Sequence, residues 1–305
     1  MALPLAAALA PFTAAQQAAP PAPGQGARLV ILGTGTPNAD PVRSGPAVAV
    51  VAGGQAYLVD AGPGIVRRAA AAAETHGIDA LEASRLDILF LTHLHSDHTV
   101  GLPDVILSPW VLDRPDPIRI FGPPGTAEMT AQIEEAWQED IHIRLSGLEP
   151  REANPEAYRA IVSETTGGAV YEDDNVRVTA FPVPHGSWQH SYGFRFDAGG
   201  TSIVISGDTR PSESIVDACS GCDILVHEVY SAEAFLTRPP EWQRYHADSH
   251  TSTVELAEIA GRARPGLLVL YHQLYWGATD EDLLREVREA GYTGRVVSAA
   301  DLDIY

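Results

Sequence analysis

Residues 91–102 read LTHLHSDHTVGL and follow directly on the apolar run 86–91. His93, His95, Asp97 and His98 fall within six positions. The apolar run reads as a buried strand, so the cluster sits where a strand ends and the chain turns. On extended chain alternate residues point the same way, which lets the imidazoles of His93 and His95 grip one ion. Asp97 and His98 come where the chain turns toward a helix expected near residues 99–107, so they can face a second ion beside the first. Zinc takes nitrogen and oxygen ligands at about 2 Å, and one turn supplies only part of two closed sites. The remaining ligands must come from elsewhere, ideally from other strand ends. His185 follows the apolar run 176–181 in PVPHG, Asp208 follows 201–206 in ISGDTR, and His272 follows 267–271 in LLVLYHQ. Each repeats the placement of the first cluster.

Outward from these positions, short apolar strands alternate with helices. Strands are expected at 28–32, 48–52, 55–60, 86–91 and 118–121, with helices at 64–76, closed by Gly77, and at 126–139. The second half repeats the rhythm: a strand at 176–181, a hairpin of 191–197 with 201–206, strands at 223–227, 267–271 and 295–298, and helices at 212–219, 253–262 and 280–290. Residues 238–249 read as a polar loop. Hairpins followed by β-α-β units, twice over, imply an α/β fold of two mixed sheets with helices outside.

The chain has 305 residues and a formal net charge of −20. A field of that sign repels nucleic acid, whose binding rests on Lys and Arg at the phosphates, so no nucleic-acid partner is expected. Small anionic or aryl ester substrates stay open, because a metal overrides the field locally. Residues 1–26 are small, apolar and then rich in Ala, Pro and Gln, as in the end of a secretory signal and a linker. No Lys or Arg precedes Arg28, so the start is read as lying inside a longer signal. Residues 27–305 are expected to form one domain, periplasmic or secreted, otherwise cytoplasmic. No later stretch is long and apolar enough to span a membrane. Cys219 and Cys222, in ACSGCD, read first as two small buried residues at a helix-to-strand turn and second as a disulfide.

With these residues in place, the chain from 28 to 305 resembles the metallo-β-lactamase superfamily. The resemblance implies a four-layer αβ/βα sandwich of two mixed β-sheets flanked by helices. It implies that His93, His95 and His185 hold one zinc, that Asp97, His98 and His272 hold the other, and that Asp208 bridges them. Asp60, in YLVDAGPG, matches the family's first motif and would orient the site. Manganese or iron stays open, with zinc favoured among divalent metals at such ligands.

Three further pieces, LGTGTPNADPVRSGP at 32–46, LVHEVY at 225–230 and SHTST at 249–253, are similar to ribonuclease Z and the arylsulfatases related to it. In that group Glu228 and His250 would work as a pair, the carboxylate fixing the histidine that protonates a leaving oxygen. The bland alternatives are an ordinary partner for a surface Arg and a neighbour of a helix cap. The catalytic set is then Asp97, Asp208, Glu228 and His250, with a hydroxide shared by two metals attacking a sulfate or phosphate (di)ester. Arg43 and Arg210 either hold the anion or are surface charges. His227 is a candidate to orient a ligand, and His246 to visit the site. Ribonuclease Z carries a long basic arm for tRNA between the positions of His185 and Asp208; here they are 23 positions apart. That places tRNA processing behind an arylsulfatase or phosphodiesterase reading. Hydrolysis of a lactone or β-lactam is the alternative, and a non-catalytic binding module comes last. The aromatic residues Trp110, Trp188, Trp242, Tyr245 and Trp276 are candidates to line a cleft for an apolar leaving group. Related folds often pair, which leaves a homodimer open.

Overall fold

A computed structural model describes residues 26–152 and 154–305. The expected signal segment therefore falls, up to residue 25, outside the described residues. Strands β1 (Arg28–Gly33), β2 (Ala47–Ala52), β3 (Gln55–Val59), β4 (Ile88–Phe90), β5 (Ile118–Gly122) and β6 (Ala160–Glu164) form one sheet in that order. Strands β7 (Gly168–Glu172), β8 (Val176–Pro182), β9 (Tyr192–Ala198), β10 (Thr201–Ile205), β11 (Ile224–Tyr230), β12 (Leu267–Leu274) and β13 (Val296–Ser298) form the second. Each sheet opens with antiparallel pairs and continues in parallel, so both are mixed.

The strands read as near-continuous apolar runs because both faces are covered. Their side chains still alternate. In β2, Val48 and Val50 enter the core between the sheets, while Ala49 and Val51 turn to the outer helices. In β12, Val269 and Tyr271 face the first sheet, and Leu268 and Leu270 face the helices. The outer layer on the first sheet is α1 (Ile65–His76), α2 (Ser96–Thr99), α3 (Leu102–Val111), α4 (Thr126–Ala136) and α5 (Gln138–Ser146). The second sheet carries α6 (Glu213–Cys219), α7 (Ala232–Phe235), α8 (Pro240–Ser249), α9 (Thr253–Ala263) and α10 (Asp280–Glu289). Three apolar clusters, one between the sheets and one under each helical layer, make the four-layer sandwich. Each fully buried Leu, Ile or Val in them contributes roughly 1.5–3 kcal/mol.

Several expectations need correction. The helix expected near 99–107 continues through Pro109 to Val111. A proline there has no N–H for the carbonyl four residues back, and Arg114 donates to that carbonyl, Val105 O, at 2.9 Å. The single helix expected at 126–139 breaks at Trp137 into α4 and α5. Residues 240–249, read as a loop, are the helix α8, with Pro240 in its first turn where a missing N–H costs nothing. Strands β6 and β7 were not expected; each is an edge strand and largely exposed, so neither shows an apolar run. Cys219 and Cys222 are both buried at the turn after α6, as first read, and they form a disulfide, as in the second reading. No helix among the described residues is long and apolar enough to cross a membrane.

Candidate metal centre

Strands of both sheets deliver their ends to one place. His93, His95, Asp97 and His98 follow β4, His185 follows β8, Asp208 follows β10 and His272 lies in β12. His93 Nε2 and His95 Nδ1 are 2.9 Å apart, and His95 Nδ1 is 3.1 Å from His185 Nε2. Asp208 Oδ2 stands 4.0 Å from His93 Nε2 and 3.9 Å from His185 Nε2. The same oxygen is 3.4 Å from His98 Nε2 and 3.6 Å from His272 Nε2. Asp97 Oδ2 completes the second group, 3.6 Å from His98 Nε2 and 3.3 Å from His272 Nε2. Asp208 thus lies between two ligand sets.

The residues present fit metal ions. The spacing of the three ring nitrogens approaches the ~3.3 Å edge of a tetrahedron with Zn–N bonds of about 2.0–2.1 Å. His98 Nε2 and Asp208 Oδ1 are buried and bonded to no protein group, a costly arrangement unless something else satisfies them. The outward nitrogens, in contrast, are occupied. His98 Nδ1 lies 2.8 Å from Asp60 Oδ2, His185 Nδ1 lies 2.7 Å from Ser249 O, and His93 Nδ1 lies 3.0 Å from Thr92 Oγ1. The Thr92 hydroxyl in turn donates to Asp60. Such outer bonds fix which nitrogen faces the ion. Asp60 holds this scaffold from a left-handed backbone, φ 60°, unusual for a residue with a side chain.

Two local devices aim side chains that regular structure would not. His272 has φ 45° and is the extra residue where the register between β11 and β12 shifts, pairing passing from Tyr271 to Gln273. Such a bulge re-aims a side chain. Gly186 has φ 50°, and a Cβ there would come within 2.7 Å of Ser249 Oγ. Glycine therefore allows the loop after His185 to press on the end of α8, where Gly186 N–H donates to Asp248 O at 3.0 Å.

Electrostatics follow from burial. Burial, with repulsion from His98, lowers His93 well below the usual histidine range, against the pull of Asp208. Burial also acts on His98, but Asp208 and Asp60 outweigh it and hold that imidazole well above its ordinary value. Burial would raise Asp208, yet His272 and His98 keep its carboxyl well below the usual range.

Glu228, on β11, and His250, just past α8, flank the ligand sets, with His250 Nδ1 3.3 Å from Glu228 Oε1. That oxygen also accepts from Thr209 N at 3.2 Å and Thr251 N at 3.0 Å. Burial lowers His250 to about 4, and burial with repulsion from Asp208 raises Glu228 well above the carboxylate range. His227 is buried beside this pair in sequence, with Nδ1 2.7 Å from Glu228 O. His246 packs on His250, ring centroids 5.5 Å apart.

The two arginines considered for holding the anion are placed differently. The Arg43 guanidinium is spent on Thr34, Gln273, Ala299 and Asp280 and lies over Tyr275, a clamp within the fold. Arg210 lies at the rim, 3.3 Å from Asp248. Among the aromatic candidates, Trp110 is fully buried in α3 and donates to Asn154 O at 3.0 Å, so it belongs to the core. Trp276 packs on Tyr230 and His246. Trp188 and Tyr245 do line a cleft of about 460 Å³ that opens on His95 and His185. The Trp188 indole N–H donates to His95 Nε2 at 2.7 Å. A neutral imidazole carries one ring proton. For His95 to offer Nδ1 to a metal, Nε2 must hold that proton, and the indole N–H must then turn aside. Sequence reasoning missed the roles of Thr92 and Ser249, which lie within the quoted stretches 91–102 and 249–253, and of Arg244, which lies in none.

The profile of the Beta-lactamase superfamily domain matches residues 55–273, which include every ligand position described above. Ribonuclease Z of Mycobacterium bovis (strain BCG / Pasteur 1173P2) is 36% identical over 278 residues, covering 90% of this chain and 96% of that protein. Ribonuclease Z of Mycobacterium avium (strain 104) is 37% identical with the same coverage. Among solved structures, human tRNase Z, short form, superposes with a TM-score of 0.62 at 25% identity, covering 91% of this chain and 98% of that one. The metallo-beta-lactamase fold protein YhfI from Bacillus subtilis gives a TM-score of 0.69 at 16% identity, covering 92% and 98%, a likeness of fold.

These relatives overturn the expectation that nucleic acid is excluded. Two physical arguments behind it fail. Net charge is a property of the whole surface, whereas a cleft with paired cation sites sets its own local field. The missing arm does not separate this chain from the curated relatives either. Their alignment of 278 residues exceeds the matched part of this chain by only a few positions, so they carry no long insertion.

Proposed function

The chain belongs to the metallo-β-lactamase superfamily, and from that membership we propose that this metal-dependent hydrolase is a dinuclear zinc phosphodiesterase acting on RNA. The observation that carries the reading is the likeness to ribonuclease Z, which extends along 90% of this chain and 96% of the relative. His93, His95 and His185 would hold one ion, Asp97, His98 and His272 the other, with Asp208 shared. When bound, the two cations would supply Lewis acidity and lower the pKa of water to about 7.

The rest falls to the protein's own groups. Asp60 and Thr92 keep His98 and His93 turned inward, and Ser249 O does the same for His185. Asp208 Oδ1, buried and unbonded, is placed to accept from an attacking water. Glu228 meets His250 at Nδ1, which leaves Nε2 to deliver a proton to the departing oxygen. Burial moves the two groups in opposite directions, His250 down and Glu228 up, so the pair retains one mobile proton near neutrality.

A second reading, a small aryl sulfate or phosphate diester, draws support from Trp188 and Tyr245 in a cleft of about 460 Å³. The discriminating assay offers zinc-supplemented protein an RNA with a 3′ extension, bis-p-nitrophenyl phosphate, p-nitrophenyl sulfate and a lactone. Chelator-sensitive cleavage of the RNA is expected. Chelator-sensitive turnover of the sulfate alone would replace the RNA reading with the second, and of the lactone alone with cyclic-ester hydrolysis.

A further inference from the structure

The cleft that opens on His95 and His185 differs from a second one on the far side of the ligand sets. The second cleft, about 530 Å³, touches Asp97 and is walled by the turn that runs from Thr36 to Gly45, with no aromatic residue in its lining. The first holds two aromatic rings and an unpaired cation. Trp188 and Tyr245 are 37% and 42% exposed, high values for large rings next to buried ligands. Arg244, in the same lining and exposed, makes no ion pair or hydrogen bond through its guanidinium with any described residue. A phosphodiester has two arms, and these two clefts offer them unlike surroundings.

We infer that Trp188 and Tyr245 form a stacking platform for the nucleobase beside the scissile phosphate, with Arg244 meeting a neighbouring phosphate. The inference deepens the RNA reading above and rests on it. Three observations support the platform. Its two halves are pinned together, because Gly186 N–H bonds Asp248 O at 3.0 Å and His185 Nδ1 lies 2.7 Å from Ser249 O, while Trp188 N–H closes the turn on His185 O at 3.0 Å. The Tyr245 ring lies 6.1 Å from the His250 ring, so a base on it is next to the proposed proton donor. The Trp242 ring extends the surface outward, edge-on to Tyr245 at 5.7 Å. Stacking suits any base, since each has a π-face, and the guanidinium supplies the backbone contact that such sites combine with it. When the indole N–H leaves His95, the ring can pivot about its own side-chain bonds, because the loop that carries it is held to α8 through Gly186 and His185.

The test is calorimetric binding to the zinc-supplemented full chain of adenosine 5′-monophosphate, ribose 5-phosphate and phenyl phosphate. The first two differ only in the base. The nucleotide is expected to bind about tenfold more tightly than the sugar phosphate and more tightly than phenyl phosphate. Trp188→Ala should bring the first ratio near one while ribose 5-phosphate affinity stays within about twofold, and Trp188→Phe should restore most of it. Tyr245→Ala gives the same answer if Trp188→Ala does not fold. An unchanged ratio in the folded variants, or no preference in the wild type, overturns the platform. Phenyl phosphate binding more tightly than the nucleotide overturns the base and assigns the cleft to a small aryl group. RNA cleavage is scored separately. Cleavage without a base preference removes the platform and keeps the reading, whereas a base preference without cleavage does the reverse.

Discussion

Two polar clusters lie buried in this protein, and they differ in whether their atoms are satisfied. Arg114 is fully buried, yet all its guanidinium donors reach carbonyls: Asp116, Leu86, Val105, Ile106 and Ala157, at 2.7–3.2 Å. The cluster around Asp208 is also buried, yet His98 Nε2 and Asp208 Oδ1 make no hydrogen bond to a described protein group. A buried polar group with every bond made is part of the architecture. One left open, with its outward neighbours occupied, is built for something that arrives from outside. Asn154 Oδ1 and Tyr292 Oη are also buried without a partner, so what marks the site is the grouping of such atoms with other metal-binding side chains.

The largest effect should come from the open cluster. Asp208→Ala is expected to lower hydrolysis by a thousandfold or more, on the order seen when a reacting constellation loses a member, while the thermal midpoint without added metal falls little. A large loss of stability with residual activity would reverse the roles given to the two clusters. The closed cluster should behave oppositely. Arg114→Leu strands five carbonyls, so a loss of about 3 kcal/mol or more is expected in urea unfolding, with zinc uptake of the folded fraction unchanged.

The two clusters were not equally legible. His93, His95, Asp97, His98, His185 and Asp208 could be found in the sequence because each follows an apolar run that marks a strand end. His272 was found the same way, but the bulge that aims it was not, since register depends on the neighbouring strand. Arg114 was missed altogether: its partners are main-chain carbonyls, up to 43 positions away, that carry no residue-type signal. Strands β6 and β7 escaped for lack of burial. Helix α8 escaped because it carries the exposed aromatics Trp242 and Tyr245, the latter in the cleft lining, rather than an aliphatic stripe. The charge of −20 misled because it was applied to a cleft as though it were uniform.

Smaller effects sharpen the contrast. Asp60→Asn keeps the shape but weakens the acceptor for His98 Nδ1 and Thr92, so a 10–100-fold loss of metal affinity is expected by competition with a chelating dye. No change would mean that the left-handed backbone at Asp60, and not its carboxylate, positions the ligands. Glu228→Gln should cost about tenfold or more with a poor leaving group and far less with p-nitrophenolate, measured as kcat on diesters of graded leaving-group pKa. A uniform loss would make Glu228 a structural partner of Thr209 and Thr251 only.

The most direct measurement is a zinc titration of the chelator-stripped protein, with bound metal counted by atomic spectroscopy. The unsatisfied cluster should take up two ions per chain, and Asp208→Ala should weaken both, since one carboxylate lies between the two ligand sets. A wild-type protein that binds none, or that binds two undiminished in Asp208→Ala, would contradict the account.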